Sequence, residues 1–172
     1  MDEAMFCFQC EQAANCTACT GKAGVCGKSA ETAAAQDRLT GALISYAGQL
    51  VGEGRAPAPE QALLLMEGLF TTITNVNFNN STIKAIKTEV EQEKHRISSE
   101  KFEDYSMPEI WDGNADIRSL KSLVLFGLKG MAAYAYHARV LGKTCREVDQ
   151  FFYEALYHLG EDEPQDLSLI HI

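Results

Sequence analysis

The sequence predicts an all-α fold: helical bundles carrying an N-terminal cysteine-rich loop. Two observations predict it. Apolar residues recur at helical spacing in one segment after another, and most segments are bounded by cap and stop residues. No stretch alternates apolar and polar residues as a half-buried strand would, and no internal repeat is present.

Residues 5–28, MFCFQCEQAANCTACTGKAGVCGK, show no sustained period. Gly21, Gly24 and Gly27 punctuate them, so they are read as a loop wrapped around something. The first helix starts at Ser29, an N-cap, with Glu31 in the first turn, where the helix dipole favours an acid. Leu39, Leu43, Tyr46, Ala47, Leu50 and Val51 form its apolar face, and Gly52 and Gly54 end it. The second helix spans residues 59–76, with Leu63, Met66, Phe70 and Ile73 on a face that Leu64, Leu65 and Leu69 widen. Asn75, Asn77, Asn79 and Asn80 break it. The third, residues 81–102, has only Ile83, Ile86, Val90 and Ile97 among charged neighbours, which marks a solvated helix with a narrow buried seam.

Residues 104–114 are read as a loop holding Pro108 and Trp111. The fourth helix, residues 116–141, is apolar nearly all round from Leu123 to Ala135, the pattern of a central buried helix. Gly127 and Gly130 each cost such a helix ~1 kcal/mol relative to Ala, which makes sense where a neighbouring helix approaches closely. The last helix opens on Thr144 and Glu147, a T-x-x-E capping box. Val148, Phe151, Phe152, Ala155, Leu156 and Leu159 follow on one face, and Gly160 closes it. The chain thus divides into a cysteine loop (1–28), a helical bundle (29–160) and an irregular tail (161–172), the tail being the expected point of truncation of a longer reading frame.

The charge balance narrows the function. With 15 Lys+Arg against 24 Asp+Glu in 172 residues, the formal net charge is −9, which speaks against a broad nucleic-acid face. No apolar run reaches the ~18 residues that span a bilayer, and the acidic N-terminus lacks the apolar core of a secretory signal. A cytoplasmic protein without membrane contact is expected, and there disulfides are rare. Yet five of the 6 cysteines lie between Cys7 and Cys26. In a reducing compartment that clustering points to metal or redox chemistry.

The spacing is Cys7-x2-Cys10-x5-Cys16-x2-Cys19-x6-Cys26. Thiolates are soft ligands that suit zinc and iron–sulfur clusters. A zinc knuckle would use Cys7, Cys10, Cys16 and Cys19, although the five-residue connection is short for a zinc ribbon. An iron–sulfur cluster would use Cys7, Cys10 and Cys19, with Cys26 completing the set. The small residues Thr17, Ala18, Thr20, Gly21 and Gly24 would then let backbone N–H groups approach the sulfides, and Phe6 and Phe8 would shield the cluster from water.

The stretches MFCFQCEQ and CTGKAGVCGK resemble the N-terminus of the hybrid cluster proteins, the hydroxylamine reductase family. Gly68-Leu-Phe-Thr-Thr-Ile-Thr-Asn75 agrees, as do Arg118-Ser-Leu and Gly127-Leu-Lys-Gly-Met-Ala-Ala-Tyr134-Ala-Tyr-His137 with Leu141-Gly142 after it. The resemblance implies cluster ligands at Cys7, Cys10, Cys19 and Cys26, turned toward one centre, with Cys16 pointing elsewhere. It implies a [4Fe-4S] cluster, with [2Fe-2S] the alternative found in another class of the family. Family members run to several hundred residues, and their hybrid iron–sulfur–oxygen cluster is held by later domains that this chain does not contain. The function implied is the N-terminal electron-transfer domain of an oxidoreductase that reduces hydroxylamine or nitric oxide. Its partners would be an electron-donor protein and the remainder of the same enzyme. The competing reading is a stand-alone, non-catalytic helical module binding zinc or a small cluster.

Other candidates have plainer roles. Cys145 is expected to be a small core residue, His95 a solvated surface residue and His137 a hydrogen-bonded residue of the buried helix. His158 suits a helix C-terminus. Lys28, two residues after Cys26, is either a flanking surface lysine or a cation that raises a cluster's reduction potential.

Overall fold

The computed structural model describes residues 5–10, 17–98 and 103–161. Among them run six helices: α1 (Ala30–Gly52), α2 (Pro59–Thr71), α3 (Asn80–Ile97), α4 (Met107–Asp112), α5 (Ala115–Val140) and α6 (Arg146–Gly160). The described residues contain no strand, only an isolated bridge between Cys7 and Cys19. The all-α class is therefore correct. No described helix is long and apolar enough to cross a membrane.

Local chemistry sets most of the boundaries. Ser29 Oγ accepts the Thr32 N–H at 3.2 Å and starts α1 where the cap rule placed it. Pro59 opens α2, where its missing N–H costs nothing, and Gln61 Oε1 accepts the Ala58 N–H at 2.9 Å. The second helix ends at Thr71, short of the expected residue 76. The Thr72 hydroxyl donates to the Leu69 carbonyl at 2.8 Å, and Asn75 takes a left-handed turn at φ +65°. Asn79 Oδ1 then accepts from the Ser81 and Thr82 N–H groups at 3.0 and 3.3 Å and caps α3.

Other boundaries also depart from expectation, α3 ending at Ile97 rather than residue 102. A short helix, α4, occupies part of the stretch read as a loop: Pro108 suits a first turn, and Met107 and Ile110, three apart, are both buried. The capping box at Thr144 does not form. The N-cap of α6 is Cys145, which puts Glu147 at the second helical position, one short of the third that a box requires. Glu147 instead accepts from the Cys145 thiol at 3.2 Å.

Helix α1 is the centre of the bundle. It packs against α3 and α6, while α2 packs against α5. Leu39, Leu43, Tyr46 and Leu50 of α1 are fully buried in a core that Leu65, Leu69, Ile83, Phe152 and Leu156 share. Gly41 admits the segment before α4: the Tyr105 N–H donates to the Gly41 carbonyl at 3.3 Å, and a Cβ on Gly41 would lie 2.0 Å from the Tyr105 carbonyl oxygen. Polar pins complete the assembly. Lys94 and Lys87 of α3 hold the two oxygens of Asp104 at 2.8 and 2.9 Å, and Gln49 Nε2 donates to the Lys94 carbonyl at 3.0 Å. Arg139 of α5 pairs with Asp149 of α6 and donates to the Pro59 carbonyl at 3.2 Å, tying α2, α5 and α6 together.

The expected burial of α5 is only half met. Leu125, Leu128, Lys129 and Ala132 face inward. On the other side Leu123, Tyr134 and Leu141 are 69%, 82% and 77% exposed, and nothing stands within 4 Å of a Cβ placed on Gly127 or Gly130. An all-round apolar pattern does not by itself say which sides of a helix are packed, and here only one side is.

Gly41→Ala should therefore destabilise the fold by about 2–3 kcal/mol, the upper range for overpacking against backbone. Gly127→Ala should be neutral or stabilise by up to about 1 kcal/mol, because its helical site is open. Urea unfolding of both variants checks the contrast. Equal effects would contradict the packing described.

Candidate functional site

The site is a pair of chain segments laid on the bundle. The Cys7 N–H donates to the Cys19 carbonyl at 3.1 Å, and the Cys19 N–H returns a bond to the Cys7 carbonyl at 2.8 Å. Residues that exchange both bonds stand directly opposite, so their side chains leave on one face. Both cysteines are buried, packing with Met5, Ala33 and Ala30. Alternation along the extended chain sends Phe8 and Ala18 to the opposite face, into the bundle core.

Phe6 and Phe8 thus anchor the loop, and the apolar cover over Cys7 and Cys19 comes from Met5, Ala30 and Ala33. The anchor's partner is Trp111 of α4, whose ring lies 5.8 Å from that of Phe6 and 5.2 Å from that of Phe8. The Arg118 guanidinium sits 4.6 Å above the same indole. Such aromatic pairs contribute ~0.5–1.5 kcal/mol each beyond their burial, enough to fix a segment with no helix of its own.

A second turn carries Cys26. The Gly27 N–H donates to the Gly24 carbonyl and the Gly24 N–H to the Lys28 carbonyl, both at 2.8 Å, and Gly27 takes φ +84°. That left-handed step favours glycine. Gly24 leaves room for sulfur: a Cβ there would lie 3.4 Å from Cys26 Sγ. Cys26 and Cys10 are half-buried, and Cys16 lies outside the described residues.

Charge gathers beneath the pair. Lys28 is buried, and its Nζ lies 3.8 Å from Cys7 Sγ, so of its two sequence readings the surface one is ruled out. Burial pushes the Cys7 thiol up, and Lys28 pulls it back down. Gln9, between the first two cysteines, donates through Nε2 to Asp37 of α1 and accepts through Oε1 from Lys129 of α5. Burial raises the Asp37 carboxyl to about 6 against the pull of Lys129 and Lys28. Burial lowers Lys129 to about 7, with Lys28 adding to the fall and Asp37 opposing it. Asp37, Lys129 and Trp111 were not singled out as site residues by pattern. Lys129 left a signal, as the one charged residue between Leu123 and Ala135.

The donor set has the chemistry of an iron–sulfur site: free thiols on one loop, two on one face, with an ammonium group against a sulfur. Among the described residues no three Cys, His, Asp or Glu side chains gather closely enough to hold a metal ion. Zinc takes its four ligands at about 2.0–2.3 Å, so the tight cage of a single ion is not preformed by Cys7, Cys10 and Cys19. In a [4Fe-4S] cluster each of four thiolates would bind a different iron, so no single-ion cage is needed.

The remaining candidates lie elsewhere. Cys145 is exposed at the start of α6 and is not a core residue, because the turn after α5 carries it to the surface. His137 is exposed rather than buried, on the open side of α5, with its ring 5.4 Å from that of Phe70. His95 is exposed, as expected, and half-buried His158 pairs with Glu161 at 2.6 Å.

Comparison with known proteins bears on the same segment. The family model described as the Prismane/CO dehydrogenase family matches residues 5–171. A hydroxylamine reductase of Nitratidesulfovibrio vulgaris is 35% identical over 92% of this chain and 34% of its own length. Those of Desulfovibrio desulfuricans and Bacteroides thetaiotaomicron are 36% and 38% identical over 99% and 92% of this chain. The chain spans about a third of the length of these relatives.

The burial pattern sets an order of thiol reactivity in the metal-free chain. Cys145 should alkylate first with iodoacetamide, Cys10 and Cys26 next, and Cys7 and Cys19 at least tenfold more slowly than Cys145. Peptide mass spectrometry over a time course reads the order. Early labelling of Cys7 or Cys19 would contradict the buried pair.

Proposed function

The chain belongs to the Prismane/CO dehydrogenase family, and from that premise we propose that it is the electron-transfer part of an oxidoreductase that reduces hydroxylamine. The observation that carries this reading is the Cys7–Cys19 pair: two buried thiols on one face, with the Lys28 ammonium 3.8 Å from one of them. Cys7, Cys10, Cys19 and Cys26 would hold an iron–sulfur cluster, and the reading favours [4Fe-4S]. One-electron transfer is the chemistry such a cluster supplies when bound.

The residues of this chain then divide the work. Phe6, Phe8 and Trp111 fix the loop, Met5, Ala30 and Ala33 exclude water from Cys7 and Cys19, and Lys28 offsets thiolate charge. Four thiolate ligands leave only Cys16 and Cys145, too few sulfurs for a second multi-iron centre here. Substrate reduction therefore belongs to the remainder of the enzyme. The apolar side of α5, with open space at Gly127 and Gly130, supplies a surface for that remainder to cover. An electron-donor protein would meet the loop, and free thiols fit a cytoplasmic setting.

Anaerobic reconstitution with iron and sulfide, followed by EPR and a hydroxylamine assay, tests this reading. One reducible cluster per chain and no turnover are expected. Tight zinc in place of iron would favour a non-catalytic module, and robust turnover by this chain alone would overturn the division of labour.

A further inference from the structure

Among the described residues, the polar anchor of the cysteine loop holds more buried cations than carboxylates. Lys28 and Lys129 are both buried, at 2% and 3% exposure. Among the described residues the acidic groups acting on Lys129 are Asp37 and the thiols of Cys7 and Cys10; Lys28 acts on it as a second cation. Asp37 answers to Lys28, Lys129 and Arg38 together. Two buried ammonium groups thus share one carboxylate, and that carboxylate is half-buried on α1.

The connection between them has a direction. An ammonium group only donates, so the Gln9 carbonyl must face Lys129, which leaves the Gln9 amide to donate to Asp37. Gln9 therefore ties Lys129 to the segment that carries Cys7 and Cys10. A cavity of about 290 Å³ has Gln9, Cys10, Thr74, Asn75 and Lys129 in its walls, so Lys129 and Cys10 border the same space. A surplus buried cation is unfavourable unless a negative charge completes it. Four thiolates and the cluster they hold carry such a charge, and it grows by one when an electron is added.

We propose that Lys129, held by Gln9, is a positioning residue whose ammonium form, favoured by the thiolates beside it, offsets the charge of the thiolate-bound cluster and raises its affinity for an electron. This rests on the cluster reading above. The step is an electron gain by the cluster from dithionite, with no bond made or broken. Lys129 acts through its field and touches no reacting atom, so it is distinct from the ligands.

The test reconstitutes the wild-type chain and Lys129→Gln, Lys129→Met and Lys129→Arg. Iron and sulfide per chain are counted, and the midpoint potential is read by dithionite titration monitored by EPR. Lys129→Gln, which keeps a donor for Gln9 without the charge, should bind a full complement of iron at a more negative potential. Lys129→Met should shift it the same way, and Lys129→Arg should return it toward wild type. A full complement with an unchanged potential in the Gln variant would overturn the proposal while leaving the cluster reading intact. A shift as large in Lys129→Arg as in Lys129→Gln would also overturn it, because geometry rather than charge would then be responsible. A wild-type chain that takes up no cluster would overturn the underlying reading, and the proposal with it. If Lys129→Met fails to fold, the Gln and Arg variants decide the matter alone.

Discussion

Two hydrogen bonds between Cys7 and Cys19 set the terms for the N-terminal segment. They turn a chain without regular structure into a fixed platform and send two thiols out of the same face. Alternation then obliges Phe8 and Ala18 to face the bundle core, where α4 supplies Trp111, while α1 leaves room for the two cysteines at Ala30 and Ala33. The bundle meets that demand. Helix α1 starts one residue after Ser29, directly beyond the turn that carries Cys26, so the loop and the central helix share one hinge-free junction.

Helix α5 serves both sides of this arrangement. Its inner face delivers Lys129 to Gln9. Its outer face leaves Leu123, Tyr134 and Leu141 in water, beside two glycines with nothing over them. A helix with one polar anchor inside and an apolar strip outside is poorly explained by the folding of this chain alone. The relatives that the chain matches are about three times its length.

The fold was largely legible because its signals are local. Ser29, Pro59 and Asn79 act within one turn of where they stand, and periodicity identified every long helix. Misreadings arose where a neighbour decides the outcome. The Thr144 box failed because α6 starts one residue later than the motif assumes. The need for glycine at position 41 comes from the path of Tyr105, which local sequence does not show. In the site, the cysteine spacing named the candidate thiols, and the family resemblance chose among them. The Gln9, Asp37 and Lys129 network was invisible because its members are 28 and 120 residues apart in sequence.

The central claim is that Cys7, Cys10, Cys19 and Cys26 together hold one cluster. The most direct measurement is iron and sulfide per chain after anaerobic reconstitution of six single variants, each replacing one cysteine by serine. The account predicts loss of most of the bound iron for Cys7→Ser, Cys10→Ser, Cys19→Ser and Cys26→Ser, and full retention for Cys16→Ser and Cys145→Ser. Retention by Cys26→Ser together with loss in Cys16→Ser would contradict it, since the ligands would then be the two C-x-x-C pairs.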